Sequence, residues 1–241
     1  MSNLGTHGLY DVCADDHCQR YQGLSMVIGD NVCRAIDETW GQVLTYEGRL
    51  CDARYSKCCG GRTELFSTCW EDTDPVYLQS FEDAAGPGGK CFCDCDDETV
   101  LSQVLNDYDM ETKDFYRWTV RYSRTELSEL ARKRTGIDFG EILALEPVET
   151  GPSGRIKYLR IVGSARTEVI GKELRIRRAL SPSHLKSSAF TVRTEDDAFI
   201  LEGRGWGHGV GLCQIGAAVM AENCYTYRQI LMHYYRGAEI K

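Results

Sequence analysis

The chain carries its most distinctive stretch at residues 203–217, which read Gly203-Arg-Gly-Trp-Gly-His-Gly-Val-Gly-Leu-Cys-Gln-Ile-Gly-Ala217. Glycine takes every second position from 203 to 211, so the backbone can bend sharply there and a ligand can approach it closely. Trp206 offers a flat face suited to a sugar ring, and His208 offers a proton carrier or a hydrogen bond donor. A tight strand-to-helix turn with a packed histidine explains the same spacing equally well. The stretch is not a phosphate-binding loop, because no Gly-Lys-Ser/Thr follows it.

The patterns around this stretch predict a mixture of helices and strands. A strand at 199–202 precedes it and a helix at 214–222 follows it, while Glu47-Gly48 predicts a hairpin loop. Two capping boxes, Ser123 to Glu126 and Thr226 to Gln229, open further helices. Other expected elements are a short helix at 31–40 and strands at 115–122, 142–149, 155–163 and 190–193. Because helices and strands do not alternate as βαβ units, the sequence predicts an α+β fold with antiparallel strands and short helices.

Composition narrows the class of protein. The 241 residues include 28 basic and 36 acidic side chains, a formal net charge of −8. This balance argues against nucleic acid as a partner, because neutralising phosphates needs a net basic surface. No window approaches the roughly 18 uninterrupted apolar residues of a membrane span. The first residues also lack the charged and apolar regions of a signal peptide, so we expect an interior fragment of a longer, exported protein.

The breaker-rich sequence at 84–89 predicts a boundary inside the chain. It divides an N-terminal part, 1–90, which is rich in Cys and His, from a C-terminal part, 91–241, which contains the glycine-rich stretch. Between residues 155 and 186 of the C-terminal part, nine side chains are basic and two are acidic. Such a run is either a solvated face or a cleft wall for an anionic substrate.

Twelve cysteines, most of them before residue 96, indicate an oxidising compartment, metal binding or both. Two imidazoles and two thiols near the N-terminus form a candidate zinc site, namely His7, Cys13, His17 and Cys18. Because a thiol in a disulfide cannot bind metal, zinc at this site and disulfides at its two cysteines exclude each other. A second group favours disulfides into the neighbouring hairpin, with a second metal as the alternative. It comprises Cys58, Cys59, Cys69, Cys91, Cys93 and Cys95.

Several motifs, in the same order along the chain, resemble those of the stage II sporulation protein D family (SpoIID/LytB). The glycine-rich stretch and residues 225–240 resemble the family's C-terminal signature. Residues 11–23 resemble its Gln-x-Tyr-x-Gly segment, and residues 55–64 are similar to its Ser-x-x-Gly-Gly-x-Thr motif. Residues 185–190 also fit. The resemblance spans about residues 7–241, nearly the whole chain.

The resemblance implies one domain whose helices and strands surround a glycan cleft, in an extracytoplasmic protein of the periplasm or cell envelope. Some members are lytic transglycosylases that cut the MurNAc–GlcNAc bond of peptidoglycan strands stripped of their stem peptides. Others enhance a cell-wall amidase. Two functions therefore stay open: a lytic transglycosylase, or a non-catalytic glycan-binding module that stimulates an amidase. The resemblance also favours zinc at the N-terminal His and Cys residues.

The transglycosylase reaction needs one carboxylic acid, which protonates the leaving oxygen and then accepts the proton of the sugar's own 6-hydroxyl. The family's catalytic glutamate lies in a helix N-terminal to all of these motifs, and we expect it to be absent from this chain. Glu38 and Glu64 are the nearest substitutes. The residues expected to bind sugar belong to the motifs and are Tyr21, Gln22, Tyr55, Ser56, Gly60, Gly61, Thr63, Trp206, His208 and Gln214.

Overall fold

A computed structural model of the protein describes residues 30–105 and 114–241. These residues form seven helices and eleven strands. The helices are α1 (Asp30–Glu38), α2 (Phe66–Cys69), α3 (Glu98–Val104), α4 (Arg124–Thr135), α5 (Glu173–Ala179), α6 (Gln214–Glu222) and α7 (Tyr227–Tyr234). The strands are β1 (Leu44–Tyr46), β2 (Arg49–Leu50), β3 (Tyr55–Ser56), β4 (Arg117–Ser123), β5 (Ile142–Thr150), β6 (Ile156–Gly163), β7 (Thr167–Gly171), β8 (Phe190–Glu195), β9 (Ala198–Arg204), β10 (Leu212–Cys213) and β11 (Glu239–Ile240).

The chain divides into two compact units. The first holds the residues up to Asp52 together with Ala238–Lys241, and the second holds Ala53–Gly237. Within the described part of the first unit, β1 pairs antiparallel with both β2 and β11. The loop between β1 and β2 is the predicted two-residue hairpin, because Glu47 (φ 48°) and Gly48 (φ 75°) both adopt the left-handed conformation.

Two three-stranded antiparallel sheets form the core of the second unit. One has the order β4-β9-β8 and the other the order β5-β6-β7. A single buried cluster joins side chains from both sheets and from two helices, for example Leu127 of α4, Ile161 of β6, Ile176 of α5 and Leu201 of β9. Burying each such side chain contributes about 1.5–3 kcal/mol, so this cluster is the main source of stability for the unit.

The two predicted capping boxes are both present. In α4 the Ser123 hydroxyl accepts from the Glu126 amide, and the Glu126 carboxylate accepts from the Ser123 amide. Gly136 ends that helix in the left-handed conformation, with φ 73°. In α7 the pair Thr226 and Gln229 makes the same reciprocal bonds.

These elements confirm the predicted α+β class. The division at residue 90 stays a prediction, as do the roles of six residues that lie outside the described ranges: His7, Cys13, His17, Cys18, Tyr21 and Gln22. None of the helices in the described ranges combines the length and apolar character needed to cross a membrane.

The disulfides predicted for the second cysteine group are not formed. All ten described cysteines are free thiols. One close pair, Cys59 and Cys93, has its sulfurs 3.5 Å apart, whereas a disulfide bond is about 2.05 Å long.

Candidate functional site

The glycine loop, residues 203–211, lies directly against the segment 55–64, although about 150 residues separate them in sequence. The backbones of Cys58 and Trp206 exchange two hydrogen bonds, of 2.9 and 2.8 Å, and form an antiparallel bridge. The Glu64 amide donates to the Gly209 carbonyl at 2.8 Å. Beyond the loop, β3 pairs with β10 in parallel, which aligns Tyr55 with Leu212 and Ser56 with Cys213. The two motifs predicted to form the site therefore form one substructure.

Glycine is required in the loop for two reasons. Gly209 has φ +75°, a left-handed conformation that side chains rarely adopt, and Gly211 has φ +71°. A Cβ at Gly209 would also lie 2.5 Å from the guanidinium carbon of Arg155, and one at Gly211 would collide with the carbonyl of Arg54. The interior side of the loop is therefore tightly packed against Arg155 and Arg54.

Arg155 holds the loop in place from the interior. Its side chain is fully buried, and its Nε and Nη2 atoms donate to the Gly207 carbonyl at 3.1 and 3.0 Å. Its Nη1 donates to the Cys59 carbonyl at 3.2 Å and to the Ser153 hydroxyl at 2.9 Å. One guanidinium therefore ties the glycine loop to the segment 55–64. The sequence places Arg155 only within a basic run, and no pattern in the residues marks it as buried.

Glu64 belongs to the same internal network. Its side chain is fully buried, Oε1 accepts from the Leu65 amide at 2.7 Å, and Oε2 accepts from the Ser153 hydroxyl and amide at 2.6 and 3.2 Å. Both oxygens are thus used as internal acceptors. The other candidate acid, Glu38, is exposed on α1 and lies 3.9 Å from Arg34. The assignment of either carboxyl as a catalytic acid stays a prediction.

His208 is a neutral hydrogen-bonding group. Burial first, and then the nearby charges of Arg155, Arg177 and Arg54, lower its pKa to about 3. The Val210 amide donates to Nδ1 at 3.0 Å, which places the proton of the neutral ring on Nε2. The ring also packs edge-on against Trp70, with centroids 4.8 Å apart. Of the two predicted roles, this environment favours a hydrogen bond donor over a proton carrier at neutral pH.

The remaining predicted sugar-binding residues differ in how much they face solvent. Trp206 and Gln214 are half-buried, and Tyr55 is exposed. Thr63 is buried and bonded internally, donating to the Gln79 carbonyl at 2.9 Å and accepting from the Phe81 amide at 2.9 Å. Ser56 is also buried, and its hydroxyl has no hydrogen bond partner in the described part of the chain. The turn residues shape the backbone, with Gly60 at φ +80° and Gly61 at φ +108°. Sugar contact by these residues stays a prediction.

An open groove of about 740 Å³ runs beside the glycine loop, over the sheet β4-β9-β8. Arg117 and Arg204 line it, together with Asp114, Thr191 and Glu202. Both arginines are anchored, since Arg117 donates to the Gly60 carbonyl at 3.2 Å and Arg204 donates to the Ser153 carbonyl at 2.7 Å. The groove therefore contains two anchored cations, Arg204 from the loop itself and Arg117 beside it.

The basic run 155–186 is not one continuous surface. Arg155 is buried under the loop, and Arg177 is buried against Glu173 at 3.5 Å. Lys157 pairs with Glu149 at 2.9 Å. The run was predicted to be either a solvated face or the wall of a cleft for an anionic substrate. Because Arg155 and Arg177 are buried, they cannot contribute charge to a cleft wall.

Four buried cysteines from distant parts of the chain meet beneath the turn at residues 58–61. They are Cys58, Cys59, Cys93 and Cys213, and Asp83 lies beside them. Hydrogen bonds with the other three thiols lower the pKa of Cys93, while burial raises the pKa of Cys58 and Cys59. Three of these cysteines belong to the group predicted from sequence, whereas Cys213 lies far along the chain, within the glycine-rich stretch.

Comparisons with known proteins identify relatives of this chain. A family model described as Domain of unknown function (DUF8618) matches residues 64–211, and one described as Stage II sporulation protein matches residues 2–46. The amidase enhancer of Bacillus subtilis (strain 168) is 26 % identical, over 92 % of this chain and 34 % of that protein. Stage II sporulation protein D of Bacillus amyloliquefaciens is 27 % identical, over 87 % of this chain and 50 % of that protein. An uncharacterized protein of Brachyspira hyodysenteriae is 27 % identical, over 87 % of this chain and 48 % of that protein.

The chain spans about a third to a half of the length of these relatives. The two family models fall on different parts of the chain, and the longer one includes the whole glycine loop. The predicted resemblance to stage II sporulation protein D is confirmed, and the chain belongs to the family described as Domain of unknown function (DUF8618).

Proposed function

We propose that this chain belongs to a peptidoglycan-processing protein and binds glycan strands at the surface of the glycine loop. The observation that carries the proposal is the pairing of this loop with the segment 55–64. That pairing leaves Trp206 half-exposed beside Lys186, whose ammonium lies 6.0 Å from the centre of its ring. A half-exposed aromatic face suits stacking on a sugar ring. The Lys186 ammonium is paired with the Asp114 carboxylate, so the lactyl carboxylates that strands stripped of their stem peptides expose would compete with Asp114 for it.

The full protein would act as a lytic transglycosylase on the MurNAc–GlcNAc bond of denuded strands. This mechanism needs a carboxylic acid with access to the strand. Within the described residues, Glu64 is enclosed and His208 is neutral, so neither is suited to protonate the leaving oxygen. In this proposal the glycine loop and the segment 55–64 bind and orient the strand, and a carboxyl group from outside these two segments supplies the proton. The protein would work outside the cytoplasm, where its substrate is located.

A second candidate function is a non-catalytic glycan-binding module that stimulates a cell-wall amidase. It is favoured by the relative named an amidase enhancer, which matches 92 % of this chain. Glycan binding at the glycine loop is common to both functions. They differ in whether the protein cuts the strand itself or increases the activity of a partner.

The test is to incubate the full-length protein with denuded glycan strands and to search for 1,6-anhydro ends by mass spectrometry. Products with 1,6-anhydro ends would establish the transglycosylase. Binding without such products, combined with faster hydrolysis by a purified cell-wall amidase, would establish the second function. A protein that does not bind the strands at all would refute both.

Variants at Trp206 test the location of the binding surface. Trp206→Ala should weaken binding several-fold, because the stacking surface is lost, while Trp206→Phe should retain most of the affinity. Trp40→Ala is the matched control, since Trp40 is 83 % exposed and belongs to neither motif. Equal affinities for the Trp206→Ala and Trp40→Ala proteins would rule out the glycine loop as the glycan-binding surface.

A further inference from the structure

Three thiols and one carboxylate lie close together in the interior. The sulfurs of Cys59, Cys93 and Cys213 and a carboxylate oxygen of Asp83 are all within 4.8 Å of one another. All four residues are buried, and the sulfurs of Cys59 and Cys93 are 3.5 Å apart. In a tetrahedral zinc site with Zn–S bonds of about 2.3 Å, neighbouring sulfurs are about 3.8 Å apart. The Cys59–Cys93 separation is close to this value, and the remaining donor atoms are near enough to reach it with small side-chain shifts.

The backbone around these sulfurs is arranged to stabilise negative charge. The Cys59 amide points at the Cys213 sulfur at 3.2 Å, and the Gly61 amide points at the Cys59 sulfur at 3.4 Å. The Gly216 amide also points at the Cys213 sulfur at 3.4 Å, because Cys213 caps the N-terminus of α6. Amides directed at sulfur favour thiolates, the form in which cysteine binds metal. Apolar packing of neutral thiols would need no such donors.

The carboxylate of Asp83 is held by two further side chains. Its Oδ1 lies 3.0 Å from Nε2 of His233, and its Oδ2 accepts from the Tyr234 hydroxyl at 3.1 Å. Both partners come from α7. A carboxylate that binds a metal is commonly oriented by hydrogen bonds of this kind, which fix its position before the metal arrives.

We propose that Cys59, Cys93, Cys213 and Asp83 bind one zinc ion. Four buried donors with no position open to solvent form the arrangement of a structural zinc site rather than a catalytic one. The ion would join the turn at 58–61, the segment around Cys93 and the start of α6, with loss of the thiol protons on binding. Cys58 interacts with the thiols of Cys93 and Cys213 and is a neighbour of the site. This zinc is separate from the one predicted at His7, Cys13, His17 and Cys18.

The experiment measures zinc per chain in protein purified under reducing conditions, by inductively coupled plasma mass spectrometry. The parent protein for this test carries Cys13→Ser and Cys18→Ser, which removes the thiols of the N-terminal candidate site. We expect one zinc per chain in this parent and none after Cys93→Ser or Cys213→Ser. The matched control is Cys224→Ser, which changes an exposed cysteine and should retain the zinc.

Two further measurements keep the proposal falsifiable if the cysteine variants fail to fold. Tyr234→Phe removes only the hydroxyl that orients Asp83, and we expect the zinc affinity to fall roughly 10–100-fold, as measured by competition with a chelator. Replacing zinc by cobalt should give thiolate-to-cobalt charge-transfer bands together with the visible bands of a tetrahedral site. A parent protein without zinc, cobalt spectra without thiolate bands, or disulfides among Cys58, Cys59, Cys93 and Cys213 in the isolated protein would overturn the proposal.

Discussion

Replacing the buried Arg155 by methionine tests whether its guanidinium holds the glycine loop in place. Methionine has a similar length and refills the space of the aliphatic part of the side chain, so the change removes hydrogen bonds and charge more than volume. Four hydrogen bonds are lost: two to the Gly207 carbonyl, one to the Cys59 carbonyl and one to the Ser153 hydroxyl.

The expected loss of stability follows from the groups left behind. A hydrogen bond from a charged donor contributes about 1.5–3 kcal/mol, and a buried carbonyl left without a donor costs about 1–3 kcal/mol. In the unchanged protein, Arg155 donates to the Ser153 hydroxyl, which donates to Glu64. After the substitution, the Glu64 carboxylate stays buried without this nearby positive charge. Removing one partner of a buried charged arrangement costs about 3–5 kcal/mol. Because these contributions overlap, we expect Arg155→Met to lower the free energy of unfolding by about 3–5 kcal/mol, a large part of the 5–15 kcal/mol typical of folded proteins.

The assay is urea unfolding monitored by tryptophan fluorescence, with the slope of the transition checked for each variant. Arg160→Met is the matched control, because Arg160 is 46 % exposed and forms a surface pair with Glu146 at 3.1 Å. We expect that control to cost less than about 1 kcal/mol. If the two variants lose similar free energy, Arg155 does not anchor the loop. A double-mutant cycle with Glu64→Gln should then give no coupling, whereas anchoring predicts a coupling of about 0.5–3 kcal/mol.

Two other predictions concern the same loop. Gly209→Ala places a Cβ on a left-handed backbone, 2.5 Å from the Arg155 guanidinium. We expect it to lower the free energy of unfolding in urea by roughly 2–3 kcal/mol. Gly86→Ala is the near-neutral control, because a Cβ at Gly86 meets open space. His208 should stay neutral down to about pH 4 in an NMR titration of the folded protein, because its pKa is lowered to about 3. The unfolded chain binds that proton near pH 6.5, so stability should fall as the pH drops from 6.5 toward 3, by at most about 1.4 kcal/mol per pH unit, and His208→Gln should flatten this dependence. A titration of His208 near pH 6.5 in the folded protein would contradict the enclosed environment of its ring.

Features set by neighbouring residues could be predicted from the sequence, and those set by distant contacts could not. The capping boxes at Ser123 and Thr226 are visible in sequence because each bonds residues three positions apart. Helix α5 was not predicted, since its N-cap residue, Lys172, makes no side-chain cap bond and its surroundings read as strands. What stabilises it is tertiary, because Ile176 belongs to the buried cluster of both sheets.

The candidate site, too, could be predicted from the sequence only in part. Spacing identified both motifs, yet the parallel pairing of Tyr55 with Leu212 depends on contacts across about 150 residues that no local pattern encodes. The inward orientation of Arg155 and Glu64 is equally hidden, because charged residues are normally placed at the surface when only sequence is considered. The predicted disulfides are not seen for a related reason. That prediction paired the second cysteine group with the neighbouring hairpin, whereas the fold brings Cys59 and Cys93 together with the distant Cys213.

The pairing that exposes Trp206 also assembles the thiol cluster. The bridge between Cys58 and Trp206 fixes the turn at 58–61, so the Cys59 sulfur faces inward while Trp206 stays half-exposed. The other paired segment is β10, which ends at Cys213. The Gly216 amide donates to the Cys213 sulfur, and this bond fixes the start of α6, including Gln214. Anything that links Cys59 to Cys213 therefore fixes the distance between the two motifs proposed to bind glycan. A metal at that point would stabilise the shape of the binding surface without touching the sugar, because the thiols are buried while Trp206 and Gln214 are half-exposed.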